Sequence, residues 1–189
     1  MAQASDFLLL DASCLLNLYA TGRLRDIASA QPYRLGVAQY VLEREALYVW
    51  RSSPGEEHRE QVREGLTPLV EEGIIRVLRL EHRDEEATFV NLASMVDDGE
   101  AITAALAVHR GCAVATDDRK ARRVLAEHTP IVPLVSTLEL LRQWAEESSV
   151  AQSDLHAAMA AMRSGASYVP GERDPLYEWW QSITGGEAN

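Results

Sequence analysis

The stretch FLLLDASCLLNL, residues 7–18, decides the fold class predicted for this chain. Phe7 to Leu10 form a continuous apolar run, which is typical of a strand buried on both faces in a parallel sheet. Asp11 then stands at the carboxyl end of that strand, and Ser13 is expected to cap the helix that follows. The stretch therefore predicts the first strand-to-helix unit of an α/β protein, with an acidic side chain at the sheet edge.

The same alternation of strands and helices continues along the chain. Further strands are predicted at 33–37, 74–80, 112–116 and 131–135, and helices at 24–28, 39–50, 56–71, 83–96, 100–110, 119–128 and 136–147. This order predicts a three-layer α/β/α domain over residues 1–148 with a central, mostly parallel sheet. Helical patterns at 152–162 and 176–183 flank a turn-rich segment, so residues 149–189 are expected to form a short helical C-terminal extension packed on or next to the domain.

Length and composition exclude several classes of protein. The 189 residues are 47% hydrophobic and 25% charged, which suits one compact domain with a core and argues against disordered and fibrous proteins. Cys14 and Cys112 form neither a disulfide framework nor a CxxC pair, and no apolar run approaches about 20 residues. A soluble cytoplasmic protein without a membrane segment is therefore expected. The net charge of −11 argues against binding nucleic acid through overall charge, which leaves a local basic patch or a bridging metal.

The acidic residues are concentrated near the predicted carboxyl edge of the sheet. Residues 81–118 contain nine acidic and two basic side chains, and both Asp11 and the pair Asp117-Asp118 directly follow apolar strands. Open α/β sheets place their ligands at this edge, and several carboxylates in one crevice repel each other unless a cation balances them. Mg²⁺ prefers carboxylate oxygens. The candidate ligand set is Asp11, Glu43, Glu100 and Asp118, with Asp98 and Asp117 as alternatives.

Four segments resemble, in order, the acidic motifs of PIN-domain nucleases. FLLLDASCLLNL contains Asp11, VLEREAL contains Glu43, DDGEAITAALA contains Glu100 and VATDDRKARR contains Asp118. The resemblance covers about residues 6–136. Many relatives have Asp where this chain has Glu100, so Asp98 is a substitute there, and Asp117 is the neighbouring choice for Asp118.

The resemblance implies an endoribonuclease that uses Mg²⁺ or Mn²⁺ to hydrolyse phosphodiester bonds in RNA, often single-stranded. Asp11 and Asp118 are expected to hold the principal metal, and Glu43 and Glu100 to be direct or water-mediated ligands that also orient the attacking water. Many members of the family are VapC-type toxins silenced by an antitoxin protein, and relatives often dimerise. An antitoxin and a second copy of the chain are therefore the implied partners, beside the RNA substrate.

Several of these residues also have purely structural interpretations. The basic run Arg119, Lys120, Arg122 and Arg123 could receive a phosphate backbone or form a solvated helix face. Ser13 could contact the nucleic acid or water at the site, or only cap its helix. Glu43 and Glu45 lie two residues apart on a predicted helix, so only one can face the crevice; Glu43 is expected there, and Glu45 is expected in solvent.

Two other functions stay open at this point. A phosphatase of the haloacid-dehalogenase type also has an Asp after its first strand and paired acids later, but it expects Asp-x-Asp where this chain has Ser13. Its lysine would have to be Lys120, which follows the paired acids instead of preceding them. A non-catalytic PIN-like module that binds RNA or protein would lack the acids, whereas this chain keeps all four.

Overall fold

A central parallel sheet organises the protein, whose computed structural model describes residues 7–53 and 56–185. Seven strands occur in that part of the chain: β1 (Phe7–Leu10), β2 (Arg34–Ala38), β3 (Tyr48–Ser53), β4 (Glu56–Gln61), β5 (Ile75–Leu78), β6 (Ala113–Ala115) and β7 (Leu134–Val135). Five of them form the sheet in the order β5-β2-β1-β6-β7, and every pairing is parallel. The predicted α/β class and central sheet are confirmed.

Helices flank this sheet. They are α1 (Ala12–Ala20), α2 (Leu24–Ser29), α3 (Val62–Glu71), α4 (Arg83–Leu92), α5 (Asp98–Arg110), α6 (Arg119–His128), α7 (Thr137–Glu147), α8 (Gln152–Ala166) and α9 (Tyr177–Thr184). A short π-helical turn, Val41–Glu45, follows β2. In the part of the chain that the structure describes, no helix is long and apolar enough to cross a membrane.

Strand β1 lies at the centre of the core. Its residues Leu8, Leu9 and Leu10 are completely buried, because β2 and β6 pair with its two edges and helices cover the sheet. Helix α5 packs close to β1 and β2 through small buried side chains, among them Ala101 and Ala104. The apolar run at residues 7–10 thus forms a buried central strand of a parallel sheet, as its sequence predicts.

The chain reverses direction across the sheet at β1. From β1 it proceeds to β2 and β5 on one side, and it then crosses back to β6 and β7 on the other side. A crevice between the carboxyl ends of the strands forms at such a topological switch point, which here lies between β1 and β6. The Asp11 backbone N–H donates to the Ala115 carbonyl at 3.0 Å, so Asp11 and the end of β6 are held side by side.

Two predicted helices are wrong in part. The helix expected at 39–50 ends with the π-helical turn at Glu45, and the helix expected at 56–71 begins only at Val62, because β3 and β4 pair as an antiparallel hairpin. Contacts distant in sequence stabilise this hairpin: Val49 is buried, and the Arg51 guanidinium donates to the Ala20 carbonyl at 2.7 Å. The turn expected at 52–55 includes Pro54 and Gly55, which lie outside the described residues.

The C-terminal helices pack on the same body as the hairpin. Helix α8 contacts α1 and β3, and a Cβ atom on Gly165 would lie 2.9 Å from the Trp50 carbonyl oxygen. Helix α9 packs on α8. The ring of Trp180 meets the ring of Tyr168 edge to face at 5.8 Å. Gly165 lets α8 approach β3 closely, and the contact between the Trp180 and Tyr168 rings packs α9 against the chain that follows α8.

A buried ion pair joins α4 to the end of α5. The side chain of Glu85 is 1% exposed and accepts hydrogen bonds from Arg110 Nε at 2.8 Å and from the Glu81 backbone N–H at 2.7 Å. The hydrogen bond with Arg110 lowers the Glu85 pKa to about 2, against 4.5 for an unperturbed Glu. Arg110 also donates to the Arg79 carbonyl, so this one guanidinium links three segments.

We expect the Arg110→Ala variant to lose about 2–3 kcal/mol of unfolding free energy at pH 7, because it leaves the Glu85 charge buried without its cation. Since the folded-state pKa of Glu85 is depressed, the contribution is complete above pH 4.5 and is lost as the pH falls towards 2. Urea unfolding at pH 7 and through this acidic range measures both effects. Arg25→Ala, which breaks the exposed pair with Glu72, is the control; an equal loss in both variants would contradict the prediction.

Candidate active site at the sheet edge

Asp11 is fixed at the carboxyl end of β1. Its Oδ1 accepts the Cys14 backbone N–H at 2.7 Å and the Ser13 hydroxyl at 3.0 Å, and the residue is only 3% exposed. Burial raises the Asp11 pKa, and the charge of Asp117 raises it further. The expectation that Ser13 caps α1 is wrong: Asp11 is the cap, and Ser13 lies in the first turn and donates to it.

The neighbouring acids Asp117 and Asp118 have different surroundings. Asp117 accepts the Thr137 backbone N–H at 2.9 Å, the Thr137 hydroxyl and the Asn17 amide at 3.2 Å, so it joins the end of β6 to α1 and α7. Asp118 is exposed and caps α6, because its Oδ1 accepts the Ala121 backbone N–H at 2.7 Å. One acid is therefore enclosed by hydrogen bonds, while the other remains open to solvent.

Glu100 enters the site from the first turn of α5. Its Oε2 accepts the Asp97 backbone N–H at 3.2 Å, which completes a capping box at the start of that helix. Burial raises the Glu100 pKa to about 7, and repulsion by Asp118 and Asp11 adds to the rise. The neighbouring Asp98 is exposed and accepts the Tyr40 hydroxyl at 3.2 Å.

Glu45, and not Glu43, lies beside these acids. The Oε1 of Glu45 accepts the Gly99 backbone N–H at 3.0 Å, and burial together with the charges of Asp97, Asp11 and Asp98 raises the Glu45 pKa. Glu43 is exposed, and its carboxylate accepts the Gln39 amide at 2.8 Å. The prediction that Glu43 faces the crevice and Glu45 faces solvent is thus corrected.

The two glutamates lie on a π-helical turn. The Ala46 backbone N–H bonds to the Val41 carbonyl at 2.8 Å, five residues back, so the chain turns more widely than an α-helix. Positions two apart still face opposite sides of this turn, as expected, and the wrong step was the choice of Glu43, which came from the motif VLEREAL and not from the spacing. Single π-helical turns are frequent at functional sites, and this one holds Glu45 at the acidic edge.

Gly99 is a residue that the sequence did not single out. A Cβ atom at this position would lie 1.9 Å from Glu45 Oε2, so glycine allows the carboxylate to reach the backbone at the start of α5. Its place between two acids in the segment DDGE is the only feature of the sequence that could have drawn attention to it.

The donor chemistry of this edge suits a hard divalent cation. Asp11, Glu45 and Glu100 offer only carboxylate oxygens, and repulsion between acids contributes to the raised pKa of each of the three. In residues 7–53 and 56–185 no group of three or more Asp, Glu, His or Cys side chains is arranged to hold a metal ion. The set fits such an ion by its chemistry, and ligation would need the side chains to rotate towards one another.

Two of the four basic residues that follow Asp118 line a cavity, and the other two do not. Arg119 and Arg122 line a cavity of about 650 Å³ between α6, α7 and the segment 168–176, whereas the exposed Lys120 and Arg123 do not line it. Arg122 also donates to the Thr116 carbonyl at 2.9 Å and to the Val135 carbonyl at 3.2 Å, so it supports the sheet edge as well.

Comparison with known proteins identifies the family. A family model described as a PIN domain matches residues 7–173, which include every acidic residue described above. No curated protein and no solved structure matches the chain significantly. PIN domains are generally nucleases, which are hydrolases that act on nucleic acids. With a match over most of its length and a parallel sheet that bears acids at its carboxyl edge, the chain belongs to the PIN-domain family.

Proposed function

We propose that this protein is a metal-dependent endoribonuclease that hydrolyses phosphodiester bonds in single-stranded RNA. The observation that carries the proposal is the group of three carboxylates, Asp11, Glu45 and Glu100, whose pKa values are all raised by burial and by neighbouring acids at the switch point of the sheet. Acids kept together at such an energetic cost are typical of a catalytic or metal-binding site. Membership of the PIN-domain family supports hydrolysis of a nucleic acid.

Asp11, Glu100 and Asp118 are the residues that would hold Mg²⁺ or Mn²⁺, with Glu45 in the place expected for Glu43. When bound, the cation supplies Lewis-acid stabilisation of charge on the phosphate oxygens. Asp117 is the less favoured ligand, because Thr137 and Asn17 already occupy its oxygens. Asp98 is likewise secondary, since it is exposed and accepts the Tyr40 hydroxyl.

The site's own side chains divide the chemical work. Glu100, whose pKa burial and the neighbouring acids raise to about 7, is held in the first turn of α5, where it would orient the attacking water, and a bound cation would favour its charged form. Asp11 has one oxygen held by Cys14 and Ser13, so its orientation is fixed before substrate arrives. Ser13 therefore acts by positioning Asp11. The phosphatase alternative is disfavoured because it needs a second carboxylate at position 13, where this chain has Ser13.

We further propose a role for this protein as the toxin of a toxin–antitoxin pair. The acidic segment 81–118 provides a surface that attracts a basic polypeptide, as the antitoxin of a toxin–antitoxin pair would offer, and a homodimer fits the same family pattern. Cys14 and Cys112 are both buried and outside any disulfide bond, which suits the reducing cytoplasm. The exposed Lys120 and Arg123, together with Arg119 and Arg122, are proposed to contact the phosphate backbone of the RNA.

We expect purified protein to cleave single-stranded RNA when Mg²⁺ or Mn²⁺ is added, and not in excess EDTA. Asp11→Asn should lower the cleavage rate by at least about 100-fold, because it removes a buried carboxylate from the proposed metal site. Gel analysis of a labelled oligoribonucleotide measures the rate, and circular dichroism verifies the fold. Equal cleavage by the two proteins, or cleavage in EDTA, would mean that the proposed chemistry is wrong.

The two glutamates of the π-helical turn give a matched comparison. We expect Glu45→Gln to lose most of the activity, because Glu45 is the member of the pair that lies among the acids. Glu43→Gln should keep activity within about twofold, because Glu43 is exposed and its carboxylate accepts a hydrogen bond from Gln39. The same RNA cleavage assay measures both variants. A larger loss of activity in Glu43→Gln than in Glu45→Gln would show that Glu43 is the residue of the site.

Gly99→Ala tests whether the position of Glu45 matters independently of its charge. The added methyl group should displace the flexible Glu45 carboxylate and lower kcat/KM by about tenfold or more, while the midpoint of thermal unfolding stays the same or rises, since Ala favours helix over Gly. The double variant with Glu45→Gln should be no less active than Glu45→Gln alone. Additive losses would show that Gly99 acts through some other contact.

A further inference from the structure

A cavity of about 650 Å³ lies beside the acidic edge, in the range typical of small-molecule sites. Helices α6 and α7 form one wall, and the segment 168–176, which connects α8 to α9, forms the other. Asp117 belongs to the lining, so the cavity begins at the end of β6, where the candidate active site also begins. None of the roles described above uses the cavity as a whole.

Among the residues that the structure describes, most charged side chains that line the cavity already have hydrogen-bond partners within the protein, but two arginines do not. Four of its five acids already accept hydrogen bonds within the protein: Asp117 from Thr137, Glu139 from Ser136, Glu146 from Arg142 and Asp174 from Leu176. Among its cations, Arg142 is paired with Glu146, and Arg122 donates to two carbonyl groups. Arg119 and Arg173 are exposed, and in the described part of the chain neither forms a hydrogen bond or salt bridge with another side chain.

Arg119 is directed by the opposite wall. A Cβ atom on Gly171 would lie 2.2 Å from Arg119 Nη2, so the guanidinium rests against the backbone of the segment 168–176. Arg173 lies two residues further along the same segment, and both side chains line the cavity. Two guanidinium groups available for hydrogen bonding on facing walls suit a phosphate, which Arg binds through paired N–H groups.

The rest of the lining suits a flat heterocycle with amine groups. Tyr168, Pro170 and Leu176 provide apolar surface, against which a ring can pack. Glu147 is an acid of the lining that could accept hydrogen bonds from exocyclic amines. A phosphate, a flat ring and amine donors occur together in one class of ligand, the nucleotides.

We propose that this cavity binds one nucleotide of the single-stranded substrate, with its phosphate at Arg119 and Arg173 and its base against Tyr168 and Pro170. The inference rests on the proposed function, because the nucleotide belongs to the strand to be cut. It adds a binding position on the C-terminal side of the sheet, between α7 and the segment 168–176. The strand would extend from the acidic edge past Asp117 into the cavity.

Calorimetric titration of the full-length protein with adenosine or cytidine 5′-monophosphate in EDTA tests the site without hydrolysis, because both bases carry an exocyclic amine. We expect both nucleotides to bind, and adenosine, cytidine and inorganic phosphate to bind at least tenfold more weakly. Arg119→Ala and Arg173→Ala should each weaken nucleotide binding about tenfold. Gly171→Ala should also weaken it, because the methyl group displaces Arg119 without removing a charge. Arg63→Ala, on the exposed face of α3, is the matched control and should bind like the wild type.

The proposal is overturned if neither nucleotide binds, if the three cavity variants bind as tightly as Arg63→Ala, or if inorganic phosphate alone binds as tightly as the nucleotides. These outcomes are separate from the fate of the proposed function. Nucleotide binding without RNA cleavage would contradict the proposed nuclease function and support the nucleotide site in the cavity. RNA cleavage without nucleotide binding would support the nuclease function and contradict the nucleotide site.

Discussion

The carboxylates of Asp11, Glu45 and Glu100 repel each other at the edge of the sheet, and each is held there by a backbone N–H group. Cys14 supplies the donor for Asp11, Gly99 the donor for Glu45 and Asp97 the donor for Glu100. All three donors belong to the N-terminal ends of helices α1 and α5, where backbone N–H groups lack partners within the helix and the helix dipole favours negative charge. Each hydrogen bond lowers the pKa of its carboxylate, and burial outweighs that effect.

The order of the strands is what brings these two helix ends together. Helix α1 starts at the carboxyl end of β1, and α5 packs across β1, β2 and β6. Because the chain reverses between β1 and β6, the connections on the two sides lead away from each other and leave a crevice above those strands. The leucines of β1 are fully buried and closely packed, so they fix the position of the carboxyl end of β1, where the crevice lies. The acids are therefore placed by the tightly packed core of the fold.

Local patterns were enough to predict the parts of the site that depend on local structure. Asp11 and the pair Asp117-Asp118 follow strands whose apolar runs are unambiguous, and Glu100 lies in the first turn of a helix that its sequence marks clearly. The turn at 41–45 and the strands β3 and β4 were beyond this approach. Glu56–Gln61 is polar and has a helical composition, yet it pairs with Tyr48–Ser53.

What makes that segment a strand is contact with distant parts of the chain. Glu60 bonds to Arg51 and to Tyr19, and Arg51 reaches the carbonyl groups at the end of α1. The hairpin begins three residues after Glu45, and it packs on α1. The π-helical turn is therefore held at one end by β2 and at the other end by the hairpin, which together fix the side that each of its residues faces. The choice between Glu43 and Glu45 is thus made by tertiary packing, which no helical periodicity contains.

The two acids at 117 and 118 show how one sheet edge can serve structure and chemistry together. Asp117 is bound to Thr137 at the start of α7 and to Asn17 in α1, so it fixes α7 relative to β6 and to the acids beside it. Asp117 therefore connects the cavity wall formed by α6 and α7 to the acidic edge, where its charge acts on Asp11. Asp118, one position later, is left exposed as the N-cap of α6. With one side chain hydrogen-bonded inwards and the next one open, the chain fixes Asp117 at the acidic edge and leaves the Asp118 carboxylate accessible to solvent.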